Sequence, residues 1–174
     1  MKYTMKAGAL SANEKILARL KGGLAAQEKK VFLSNGAFAL RTCIRNLAAP
    51  HGKENDIRFR QYVMFDAAGK QCGVARPGYA KDDDPAIVGW PICRMPSVNR
   101  ALVSLHGERY QLTMQSIQNY VLTAQSGRAV VQILHKGLAG GWSIEADDKF
   151  PPEIICGIFL FCRYIEQENE FNIV

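Results

Sequence analysis

The chain has 174 residues, 48% hydrophobic and 22% charged. That suits one globular domain with a core of its own and excludes a largely disordered chain. Net charge is +6, but residues 1–30 hold seven basic and two acidic side chains, while the rest is nearly balanced. A basic N-terminal arm can meet an anionic surface, although a solvated face is the plainer account. Five cysteines, Cys43, Cys72, Cys93, Cys156 and Cys162, are odd in number and have no CxxC spacing. With no leader-like N-terminal run, they read as reduced thiols of a cytoplasmic protein, without a zinc site.

Ser11 and Glu14 have capping-box spacing, and Ile16, Leu17, Leu20 and Leu24 fall near one helical face. The spacing predicts a short amphipathic helix that ends or kinks at Gly22-Gly23, with Lys15, Arg19 and Lys21 on its polar side. A distorted first strand is the alternative. From Lys30 onward, short apolar stretches alternate with turn residues. Val31–Leu33, the Ser34-Asn35-Gly36 turn and Ala37–Ile44 predict a first pair of strands, and 46–56 reads as a loop. Arg58–Phe65, the turn 66–70 and Gln71–Ala75 read as a hairpin. Residues 76–96, with Pro77-Gly78, Asp82-Asp83-Asp84-Pro85 and Trp90-Pro91, read as a long irregular loop. Strands resume at 101–105, 110–114, 120–124, 130–134 and 142–146. Their spacing predicts an antiparallel meander that closes into a sandwich or barrel.

Phe150-Pro151-Pro152-Glu153 then opens a different element. Proline suits a first helical turn, and Glu153 suits the positive helix N-terminus. Ile154–Ile165 is apolar around the whole helical wheel except at Arg163. It is too short for a bilayer, which needs about 20 apolar residues. A helix apolar all round must be enclosed by protein, and the preceding strands supply a wall. The expected fold is mainly β: a closed antiparallel barrel (30–174) around a central hydrophobic helix near 152–168. The basic arm (1–29) is expected to be helical. A helix in the barrel would leave no interior ligand cavity, so any active surface would lie outside.

This order resembles the tubby C-terminal-like superfamily, which includes tubby-like proteins, phospholipid scramblases and LURP-one-related proteins. The resemblance rests on strands such as Gln118–Leu122 and Val130–Leu134, then Trp142-Ser143-Ile144-Glu145, the Pro-Pro-Glu start and the apolar helix. It implies a barrel with a threading helix and association with phosphoinositides or membranes. The family's lipid-binding, palmitoylation and calcium segments have no counterpart on particular residues, so none is carried over.

Candidate chemistry is sparse. His51, His106 and His135 sit in loops, turns or strand ends without a nucleophile or carboxylate at a familiar catalytic spacing. Asp82-Asp83-Asp84 offers oxygen ligands but lacks the alternation, glycine and distant glutamate of a calcium loop. Gly137–Gly141 lacks the lysine of a phosphate loop and should connect two strands. No motif calls for a cofactor. Arg41, Arg45, Arg58 and Arg60 form the main basic group outside the arm. In a strand, Arg58 and Arg60 share a face, with Phe59 and Tyr62 beside them.

The leading expectation is a non-catalytic domain that binds anionic phospholipid at a membrane surface, or a protein partner. Lys15, Arg19, Arg58 and Arg60 are its candidate surface. One alternative is a nucleic-acid-binding module using the Arg58/Arg60 face. The other is an enzyme whose site converges from separate strands near Arg76–Arg94.

Overall fold

The computed structural model describes residues 1–22, 26, 28–53, 56–80 and 97–170. The strands are β1 (Lys2–Lys6), β2 (Ala9–Ala12), β3 (Lys15–Lys21), β4 (Glu28–Leu33), β5 (Phe38–Asn46) and β6 (Arg60–Asp66). They continue as β7 (Gln71–Tyr79), β8 (Val98–Leu105), β9 (Glu108–Ser116), β10 (Asn119–Ala124), β11 (Ala129–His135) and β12 (Trp142–Ala146), followed by helix α1 (Pro152–Glu170). Each strand pairs antiparallel with its sequence neighbours, and β1 pairs with β12, closing a twelve-stranded barrel. Closure removes the exposed edges that a sheet of short strands would otherwise present.

The N-terminal helix is not formed. Residues 2–21 are instead the first three strands of the barrel. Ala7-Gly8 and Asn13-Glu14 both adopt positive φ (48° and 73°; 48° and 64°). These are two-residue hairpin turns whose left-handed pairs match the twist of the flanking strands. Ser11 is therefore a strand residue, its hydroxyl donating to the Thr4 carbonyl at 3.4 Å, and not a helix cap. A bulge in the β2–β3 register around Leu17 puts neighbouring apolar residues side by side and mimics a helical stripe.

The 76–96 segment is also partly corrected. Arg76–Tyr79 completes β7 and pairs with β8 down to Tyr79↔Val98. The β6–β7 ladder ends at Ala75, so Pro77 faces no partner on that side. Such a position tolerates the missing N–H. Residues 81–96 lie outside the described ones. The remaining strands follow the expected pattern, with inward residues alternating along each: Tyr3 and Met5, Tyr62 and Met64, Leu112, Tyr120 and Leu122, Ile144.

Helix α1 begins as expected and extends to Glu170. Pro152 needs no N–H partner at this position, while the Ile154 and Ile155 N–H groups donate to the Pro151 carbonyl. Every residue from Ile154 to Cys162 is buried, as are Tyr164, Ile165, Glu166 and Glu168. The Phe159 ring stands edge-on to Trp142 of β12 at 4.9 Å, and the Phe161 ring lies 6.1 Å from Tyr62 of β6. Tyr164 shares a 2.8 Å hydrogen bond with Thr42 of β5. The Tyr120 hydroxyl of β10 donates to Glu166 at 3.1 Å. Asn169 clasps β8, its amide donating to the Val98 carbonyl (2.9 Å) while its oxygen accepts from the Val98 N–H (2.8 Å). Each large side chain so buried contributes about 1.5–3 kcal/mol before chain entropy is counted.

Candidate functional site

Alternation sends half of each strand outward, and on β3–β5 that outer half is basic. The pairing registers set Lys21 opposite Lys30, Lys30 opposite Arg41, and Arg41 opposite Phe65. One cross-strand row thus carries three adjacent cations. Arg19 lies opposite Phe32 in the next row, and Arg45 lies two residues beyond Cys43 on β5. Glu28 is the only carboxylate in β3, β4 or β5. It accepts from Arg41 at 2.6 Å and pairs with Lys30 at 3.4 Å. The Arg41 hydrogen bond, helped by Lys30 against the penalty of burial, holds the Glu28 carboxyl below its ordinary range. One carboxylate serves two cations, and among the described residues Arg19, Lys21 and Arg45 stand in excess.

Aromatic rings organise these cations. The Arg41 and Arg45 guanidinium groups lie 4.4 and 5.0 Å from the Phe65 ring centre, which leaves that outward-facing phenyl only 6% exposed. Lys21 Nζ sits 4.7 Å over Phe32, itself edge-on to Phe38 at 5.7 Å. Such contacts hold a charge against the wall without neutralising it. Like charges placed directly opposite in a sheet oppose folding, so the row keeps a repulsion that a bound polyanion would relieve.

The sequence-predicted residues separate into two groups. Arg19 belongs to this wall. Lys15 is exposed beside the Asn13-Glu14 turn, opposite Ala12. Arg58 and Arg60 do not share a strand face, because Ile57–Phe59 forms a 3₁₀ turn capped by Asp56. Arg58 is gripped by that carboxylate at 2.5–3.0 Å. Arg60 turns toward α1 and pairs with buried Glu168. Around it lie the Arg163–Glu166 pair, Lys29 over the Tyr164 ring, and the buried Tyr62 hydroxyl. Burial raises the Glu168 carboxyl despite Arg60, and it lowers the Lys29 ammonium with help from Arg163. This cluster ties the C-terminal half of the helix to the wall.

A concavity of about 420 Å³ elsewhere on the surface is lined in part by Asp66, Cys72, Ser104 and His106. No hydrogen bond joins Ser104, His106 and Asp66 among the described residues. The Cys72 thiol donates to the Met64 carbonyl, and burial together with Asp66 raises its pKa. A nucleophilic cysteine needs the opposite shift. Gly137–Ala139 forms a short 3₁₀ turn between β11 and β12, as a strand connection should. The Asp82-Asp83-Asp84 run lies outside the described residues. Among those described, no group of three or more His, Cys, Asp or Glu could hold a metal ion, and no helix is long and apolar enough to cross a membrane. No protein-family model, curated protein or solved structure matches the chain.

Proposed function

We propose that this domain binds anionic phospholipid at a membrane surface, without catalysis, through the outer wall of β3–β5. The observation that carries the reading is the Lys21–Lys30–Arg41 row, in which three opposed cations are balanced, among the described residues, by Glu28 alone. Each Lys or Arg brought to an anionic bilayer contributes about 1 kcal/mol, so the excess cations of this wall suffice for reversible association. Arg19 retains its expected place in that surface and Lys15 adds to its edge. Arg58 and Arg60, held by carboxylates, act instead as structural ties.

We also propose that α1 is the central axle of the barrel, in the manner of the tubby-like proteins that the sequence resembles. Burial on every side of Ile154–Cys162 and side-chain partners on β4, β5, β6, β8, β10 and β12 support this. An interior filled in this way leaves the outer wall as the surface for ligands. Co-sedimentation with phosphatidylserine-containing vesicles tests the function. Binding should be strong at low salt, weaker at moderate salt and absent on zwitterionic vesicles. No pelleting at either salt would remove the lipid reading, and a salt-dependent gel shift of nucleic acid in its place would favour the rival module.

A further inference from the structure

Antiparallel closure sorts the chain ends into two rims. Odd-numbered strands all run toward one, here the upper rim, which carries the Ala7-Gly8 turn, the Ile117-Gln118 turn and the 136–141 connection. Two side chains there are conspicuously solvent-exposed for their type: Ile117 at 85% and Leu138 at 110%. Both stand at loop tips, where no described residue covers them. The two loops are joined, because the His135 N–H donates to the Asn119 side-chain oxygen at 2.7 Å. The Lys136 ammonium reaches across to the Thr4 hydroxyl of β1 at 3.2 Å, which links these loops to the strand that carries Lys6.

Three cations of the basic wall, together with Lys6 of β1, lie toward the same rim. Lys6 and Lys21 end β1 and β3, Lys30 lies near the start of β4, and Arg45 lies near the end of β5. Every one is therefore in the upper half of its strand. Among the described residues, acids at this rim are mostly engaged: Glu28 with Arg41, Asp56 with Arg58, Glu166 with Arg163, and Glu168 with Arg60. Glu170 at the helix end is exposed. Leu138 adjoins the β1 strand that ends at Lys6, and Ile117 stands across the rim from β3–β5, so a rim laid on an anionic bilayer would present apolar tips to the acyl chains and cations to the headgroups.

We propose that Ile117 and Leu138 insert into the bilayer interface and that the domain docks on its upper rim. This rests on the lipid reading above and adds a depth and an orientation to it. The experiment uses the full chain with phosphatidylserine-containing vesicles whose acyl chains are brominated. Ile117→Trp should gain blue-shifted, bromine-quenched emission over the wild-type background on binding. Leu102→Trp, exposed mid-strand on β8, should not. An Ile117→Asp/Leu138→Asp protein should keep its thermal midpoint yet bind roughly tenfold more weakly, with the residual binding abolished by salt. Wild-type pelleting with an unquenched probe at 117 and unchanged affinity of the double variant would overturn insertion and leave the basic wall standing. Failure of the wild type to pellet would overturn both.

Discussion

Asn13 and Glu14 show how local chemistry decides an element. Both sit at positive φ, which asparagine tolerates well and glutamate poorly. Replacing Glu14 by glycine removes that strain, so Glu14→Gly should stabilise the protein by about 0.5–1 kcal/mol, seen as a raised thermal midpoint. In the helix that the Ser11/Glu14 spacing suggests, the same change would cost a similar amount. The asparagine was a legible turn signal; the misleading one was the bulge beside Leu17, which a reading by periodicity cannot separate from a helical stripe. Glu168 gives a second residue-scale test. Its folded-state pKa is raised by burial, so the folded protein holds the proton more tightly than the unfolded chain. That stabilising contribution is complete below the ordinary carboxyl value of 4.5 and is lost as pH rises through the folded value. Thermal midpoints from pH 4 to 7 should therefore show the wild type losing ground to Glu168→Gln as pH rises. A constant gap would mean that burial does not govern this group.

Among elements, α1 depends on a close approach that sequence alone does not reveal. A Cβ built on Gly157 would lie 2.2 Å from Met64 Cε and 2.8 Å from its sulfur, and Met64 is fully buried. Gly157→Ala should destabilise by about 1–3 kcal/mol through overpacking. Shortening the partner with Met64→Val should recover part of that loss, measured as a coupling in a double-mutant cycle of denaturant unfolding. Additive losses would mean that the helix does not seat against β6 at this point. The helix itself was legible, because an apolar run with a Pro-Pro-Glu start has few other uses. Most strands from β4 to β12 were legible too, through turn residues such as Asn35-Gly36 and Gly69. The extension of β7 through Pro77 was not. Proline argues against a strand until one knows that the β6 ladder stops at Ala75 and frees that side.

For the molecule as a whole, the charge asymmetry seen in the sequence is real but was assigned to the wrong shape. Residues 2–21 and 28–30 do not form an arm; they contribute strands whose Arg19, Lys21 and Lys30 join Arg41 and Arg45 across the sheet. That juxtaposition depends on pairing register, which composition and spacing do not encode, so Lys21, Lys30 and Arg41 could not be singled out as a row beforehand. Arg58 leaves the expected strand for a related reason, since the Asp56 cap turns Ile57–Phe59 away from strand geometry, while Arg60 opens β6 and pairs with Glu168. The claim that this wall meets an anionic bilayer is tested most directly by titrating phosphatidylserine-containing vesicles against the wild type and a Lys21→Gln/Lys30→Gln variant at low salt. Losing two cations should weaken binding by about 2 kcal/mol, roughly thirtyfold, without lowering the thermal midpoint. Equal affinity of the two proteins, or wild-type binding to zwitterionic vesicles as tight as to anionic ones, would contradict it.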